Sequence, residues 1–181
     1  RGLGDVYKRQ AQDNLFGNAV SLSLSGNVAA IGSVGVQSGT DPYGAVYVFA
    51  RSGTSWSQQQ KITAAQAGAG DEFGYSVSLS TDGSTLAVGS DSANSSFASG
   101  LSSITILTQS SSTWTVQANL LKSGSGTSEY FGYSLSTSFD GSTVLAGVWE
   151  GNTNSTTESG TAYLFRRSNG VWSQAQRLTT S

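Results

Sequence analysis

Phe-Gly occurs three times in this chain, at Phe16-Gly17, Phe73-Gly74 and Phe131-Gly132, the copies 57 and 58 residues apart. Other landmarks keep step with it. Gly32, Gly89 and Gly147 close each copy's second apolar run, and Trp56, Trp114 and Trp172 follow at the same spacing. Ile62, Leu120 and Leu178 each stand six residues beyond a Trp. Four landmarks in register over three copies define an internal repeat, and a repeat of this length is one supersecondary unit stacked on its neighbours.

Each copy reads as four short strands. The first follows Phe-Gly, with apolar residues alternating with small polar ones at period two, as in Val20-Leu22-Leu24 and Val77-Leu79. Asp82-Gly83, Asp140-Gly141 and, in the first copy, Gly26-Asn27 are dipeptides that favour two-residue hairpins. The first two strands of each copy therefore pair antiparallel. The second strand is Val28–Ile31, Leu86–Val88 or Val144–Ala146. A long connection leads to the third: AVYVFAR (45–51), SITILTQ (103–109) or TAYLFRR (161–167). The fourth runs from the Trp to the aliphatic residue six positions on. No helical period survives anywhere. The fold class is all-β, and four antiparallel strands per copy fit the blade of a β-propeller. A β-solenoid is the alternative, with repeats that are usually much shorter.

The blades span 11–65, 66–123 and 124–181. The Phe and Trp of each copy are expected to pack between blades. Three blades fall short of the roughly 4–8 of a closed ring. QRLTTS (176–181) matches QKITAA (60–65), which leads into the next Phe-Gly. Further propeller blades of the same chain are thus expected partners. The opening RGLGDVYKRQ stands apart from the repeat, and Asp5–Gln10 resembles a translated sequencing adapter. Residues 1–10 are read as a non-native tail and left out of fold reasoning.

Composition narrows the function. Charged residues are 11% of the chain and the net charge is −2, without a basic cluster, so the footprint of a nucleic-acid binder is missing. No apolar run is long enough to insert in a membrane. The chain holds no His and no Cys. That removes Ser-His and Cys-His nucleophile pairs, disulfides and thiolate metal sites. No Gly-rich loop followed by Lys cradles a phosphate. The acids are scattered, whereas glycoside hydrolysis needs two facing carboxylates. A chain that is not an enzyme and needs no cofactor is expected. Asn94 and Asn154 begin Asn-X-Ser/Thr glycosylation triplets, common by chance in a Ser/Thr-rich chain.

DEFGYSVSLSTDGSTLAVGS (71–90) and GAVYVFARSGTSWSQQQKITA (44–64) resemble the FG-GAP repeat. That repeat builds the propeller of integrin α subunits and occurs in many microbial surface proteins. The likeness covers residues 12–181. It implies an extracellular or cell-surface adhesion or binding module. Integrin-type blades often carry an Asp-rich calcium loop between their first two strands. Here STDGST (80–85) and SFDGST (138–143) each offer one Asp, far short of the six to eight oxygens calcium takes. Asp82, Gly83, Asp140 and Gly141 are read as turn residues and no metal is expected, as in the calcium-free microbial variety.

Antiparallel strands put the short turns at one end of each blade and the long connections at the other. Those connections differ between copies: SVGVQSGTDPY (33–43), SDSANSSFAS (90–99) and VWEGNTNSTTES (148–159). Loops on a rigid scaffold concentrate binding residues. Asp41, Tyr43, Asp91, Phe97, Trp149 and Glu150 are the candidates there, as aromatics beside carboxylates that would grip a protein or glycan. The other possibility is that Tyr43, Phe97 and Trp149 fold back over blade edges. A further functional reading is an accessory propeller of a larger secreted enzyme.

Overall fold

The computed structural model describes residues 14–35, 43–64, 72–90, 102–122, 129–150 and 160–179. Twelve β-strands make up the regular structure of those residues. Blade 1 is β1 (Asn14–Leu22), β2 (Val28–Gly35), β3 (Ala45–Ser52) and β4 (Ser55–Ile62). Blade 2 is β5 (Phe73–Leu79), β6 (Thr85–Ser90), β7 (Ser103–Ser110) and β8 (Thr113–Leu120). Blade 3 is β9 (Glu129–Thr137), β10 (Thr143–Glu150), β11 (Thr161–Ser168) and β12 (Val171–Thr179). Each blade is a separate four-stranded sheet whose strands pair antiparallel with their sequence neighbours. The all-β propeller-blade architecture read from the repeat is therefore the observed one. The proposed tail, 1–10, lies outside the described residues.

The hairpins differ from expectation. The first two strands of each blade are joined by four-residue loops, not two. In blade 2 the Ser80 N–H donates to the Thr85 carbonyl at 2.8 Å, and the Gly83 N–H turns back to Ser80 O at 2.9 Å. The cause is side-chain chemistry. The Asp82 carboxylate accepts from Ser80 Oγ (2.5 Å), Ser84 N (2.9 Å) and Ser84 Oγ (2.9 Å). Hydroxyls on either side of the Asp thus close a wider loop around it. Asp140 is held the same way by Ser138 and Ser142. In blade 1 the loop also has four residues, and Ser23 and Gly26 make the matching bonds. Gly26 therefore corresponds to Gly83, and Ser25, not Gly26, stands where the other copies have Asp.

Blades stack face to face, and the core lies between them. Ala30, Val46, Val48 and Ile62 of blade 1 meet Phe73, Val77, Leu79, Leu86, Val88, Leu107 and Trp114 of blade 2. On its other side blade 2 gives Ala87, Ile104, Ile106 and Leu120 to Phe131, Val144, Ala146, Val148, Tyr163 and Phe165 of blade 3. Every residue of β6 is buried as a result. A strand covered on both faces reads as a continuous apolar run rather than an alternating one. Burying each of the large side chains contributes about 1.5–3 kcal/mol.

Phe-Gly fixes the spacing between blades. Gly74 has φ +91° and sits at a β-bulge, where the pairing of β5 with β6 shifts between Phe73 and Ser76. Only glycine adopts that conformation freely. The bulge pushes the Gly74 carbonyl against Gly32 of the preceding blade, so closely that a Cβ on Gly32 would collide with it. Gly132 meets Gly89 in the same way, 2.6 Å from where a Cβ would lie.

Two repeat positions break the expected burial. Phe131 is 1% exposed, but Phe16 is 43% exposed; Trp114 is 3% exposed, but Trp56 is 45% exposed. The reason is position in the stack. Phe16 and Trp56 lie on the face of blade 1 that points away from blade 2, and no described residue covers it.

Candidate functional site

The short turns at residues 24–27, 81–84 and 139–142 lie at one end of the blades. β1, β5 and β9 begin at the other end, where β2, β6 and β10 finish. That second end carries the aromatic surface. Trp149, near the end of β10, is exposed and stacks on Tyr130, its cross-strand partner in β9, at 4.9 Å and 28°. Tyr133 lies 6.0 Å from Trp149 and 5.6 Å from Tyr75 of blade 2. The four rings form a continuous strip across two blades. Aromatic pairs at these separations are each worth about 0.5–1.5 kcal/mol beyond buried area.

Beside the strip runs a groove of about 550 Å³, within the range of small-molecule sites. Leu15, Val20 and Val34 supply its apolar wall; Glu72, Tyr75 and Tyr133 supply its aromatic and acidic side. Asn18 holds the two inner strands together beside it. Its amide nitrogen donates to Tyr75 O at 2.9 Å and Gly74 O at 3.3 Å, and its oxygen accepts from Val34 N. Glu72 precedes the Phe-Gly with φ +44°, an uncommon conformation for a non-glycine residue.

Of the candidates from the sequence, the structure brings Trp149 into this surface. Tyr43 is exposed at the foot of β3, and its carbonyl accepts from Phe73 N at 2.9 Å. Glu150 ends β10, opposite Glu129 in the ladder. Asp41, Asp91, Phe97, Asn94 and Asn154 lie outside the described residues. Tyr75 and Tyr133 are not among the candidates, because they belong to the repeated part and look like scaffold; Tyr130 stands where the other copies have Leu15 and Glu72. One signal was present: Tyr follows Phe-Gly in two copies, where Asn18 stands in the first.

The carboxylates at the opposite end are occupied. Hydrogen bonds from Ser142 N, Ser138 Oγ and Ser142 Oγ hold the Asp140 carboxyl down to about 2. At Asp82 partial burial pushes upward, but hydrogen bonds from Ser80 and Ser84 prevail and the pKa is lowered. These are acceptors turned inward on their own loops. Among the described residues no group of three or more His, Cys, Asp or Glu is placed to hold a metal ion. No helix among them is long and apolar enough to cross a membrane.

Two stretches, 56–102 and 114–165, match the family pattern of the FG-GAP repeat, and together they cover more than half of the chain. This chain belongs to the FG-GAP repeat family. The matched stretches hold Phe73-Gly74, Phe131-Gly132 and Gly89; Gly32, which receives the Gly74 carbonyl, lies before them. No curated protein matches the chain in sequence. Among solved structures, the FG-GAP chain is similar to the tricorn protease, at 8% identity and a TM-score of 0.47. That match covers 82% of this chain and 13% of the other's length.

Proposed function

We propose that the chain is a non-catalytic recognition module that binds a protein or glycan at the blade end carrying Tyr75, Tyr133, Trp149 and Tyr130. The observation that carries this reading is the aromatic strip itself. It is continuous over two blades, partly exposed and set beside a groove of about 550 Å³. Flat rings with polar edges grip the C–H face of a sugar or an apolar side chain while their hydroxyl or indole N–H bonds outward. Such residues dominate binding energy at interfaces. The three connections that begin at this end differ in sequence, as specificity on a shared scaffold requires. A non-catalytic role is supported by the lack of His and Cys and by the groove lining, where Glu72 is the one carboxylate among the described residues. The extracellular or cell-surface setting rests on the likeness to surface-protein repeats.

The test is a glycan and protein array probed with the labelled chain. Binding to a defined class, weakened at least tenfold by Tyr133→Ala, is the expected result. An array on which the folded chain binds nothing would refute the proposal.

A further inference from the structure

At their inner strands the two contacts between blades are tied alike. The Gly74 carbonyl takes its seat against Gly32, and the Gly132 carbonyl against Gly89. Asn18 donates to Gly74 O and Tyr75 O across the first contact, and Ser76 Oγ donates to Gly132 O at 2.5 Å across the second. Leu79 N donates to Ser21 Oγ at 2.9 Å in the first, and Thr137 Oγ1 donates to Ser78 O at 3.2 Å in the second. The short loops add a matching pair, Leu24 N to Thr81 O and Asp82 N to Phe139 O.

At their outer strands the two contacts differ. The pairing of β3 with β4 and of β7 with β8 shifts at a β-bulge, which leaves Gln59 and Gln117 as the extra residues. Each accepts from a tryptophan of the next blade: Gln59 Oε1 from Trp114 Nε1 at 3.4 Å, and Gln117 Oε1 from Trp172 Nε1 at 2.9 Å. The residue after each breaks the likeness. Gln60 turns its amide onto the backbone of Trp114. Trp114 N donates to Gln60 Oε1 at 2.8 Å, and Gln60 Nε2 donates to the Trp114 carbonyl at 3.0 Å. β8 is the outermost strand of its sheet, so Gln60 pairs edge groups as a further strand would. Ala118 stands at that position in blade 2 and has no amide to offer Trp172. Trp114 is 3% exposed, whereas Trp172 is half-buried. The bonds that Gln117 accepts from Trp172 and Arg167 lie at the surface.

Both contacts lie inside the chain, between described blades, so their difference does not depend on what precedes or follows it. We propose that the contact between blades 2 and 3 is a hinge. It turns about the tied inner strands and opens at the outer strands, where the Gln60 clasp has no counterpart. Segments held by few, solvent-exposed bonds are the ones that open locally. The hinge matters to recognition on the reading of the aromatic strip as the ligand site, because the Tyr75–Tyr133 pair crosses this contact. Opening shifts one tyrosine against the other. The strip thus has an open and a closed arrangement, and a ligand that bridges both rings favours the closed one.

Hydrogen exchange and relaxation dispersion, read by NMR on the 181-residue chain without ligand, give the test. The Trp114 N–H should exchange at least tenfold more slowly than the Trp172 N–H, and the Tyr133 amide should show microsecond-to-millisecond dispersion. Gln60→Met keeps the length of the side chain and removes both bonds. It should speed exchange at Trp114 at least tenfold and leave Trp172 unchanged. Ala118→Gln, which copies the clasp into blade 2, should slow exchange at Trp172 at least tenfold and remove the dispersion at Tyr133. Equal exchange at Trp114 and Trp172 in the parent, or a Tyr133 amide without dispersion, overturns the hinge. Unchanged exchange at Trp172 in Ala118→Gln overturns the missing clasp as its cause. Dispersion at Tyr133 that survives Ala118→Gln overturns the link to the strip. A hinge that passes these tests on a chain that binds nothing on the array would refute the ligand reading alone.

Discussion

Phe131→Ala and Phe16→Ala change the same repeat position, and their comparison isolates what a neighbouring blade contributes. Both rings touch two aromatic residues of their own blade at similar separations. They differ in what lies on the other side. Phe131 is packed against Ala87, Ile104 and Ile106 of blade 2, whereas Phe16 is 43% exposed. Truncating the buried ring removes its transfer energy and leaves a cavity, a loss of about 3–5 kcal/mol. Truncating Phe16 forfeits edge-on ring contacts and the burial of about half a ring, about 2 kcal/mol in all. For a domain of this size each kcal/mol lowers Tm by about 2–4 °C. Phe131→Ala should then melt roughly 6–20 °C below the parent, by that same scaling, and Phe16→Ala only a few degrees below. Urea unfolding followed by tryptophan fluorescence, at concentrations where the chain is monomeric, measures both. Losses that agree within about 0.5 kcal/mol would refute the reasoning, since burial between blades would then count for nothing.

Gly89→Ala should destabilise by several kcal/mol, because the new Cβ meets the Gly132 backbone carbonyl at 2.6 Å; Gly147→Ala, whose nearest obstacle is the Ser134 hydroxyl, should cost well under half as much, and thermal melts of the two compare them. Asp140 has its pKa lowered from 3.8 to about 2 in the folded chain. The stabilisation its ionised form gives is therefore complete above about pH 4 and lost as pH falls toward 2. Asp140→Asn should flatten that part of a stability-against-pH curve, and an unchanged slope would show that the Ser138 and Ser142 bonds do not hold the carboxylate.

The blade plan was legible because four landmarks recur in step and the strands between them alternate at period two. The seat could also be anticipated in part: Gly closing the second strand and Gly after Phe are the residues a close backbone approach demands. The hairpins were misjudged because Asp-Gly favours a tight turn by backbone preference alone. In the structure the serines on either side of Asp82 and Asp140 bond its carboxylate and widen the loop. Phe16 and Trp56 were misjudged for a different reason. A repeat shows which face a residue occupies, but not whether another blade stands against it. The aromatic strip was half visible. Trp149 lies in a stretch that varies between copies, and that variation marks it as a candidate. Tyr75 and Tyr133 sit beside Phe-Gly, in residues that seemed committed to the scaffold. Only the stacking of blade on blade brings their rings within 5.6 Å.

The claim that recognition belongs to one end of the blades is tested most directly by two tyrosine and phenylalanine truncations at opposite ends. Tyr133 belongs to the aromatic strip; Phe139 is exposed on the short loop at the other end, where its carbonyl accepts from Asp82 N. Titration calorimetry of the ligand class found on the array, against Tyr133→Ala and Phe139→Ala, gives the answer. At least a tenfold loss for Tyr133→Ala with parental affinity for Phe139→Ala is the predicted result. Parental affinity for Tyr133→Ala with a loss at Phe139→Ala would contradict it.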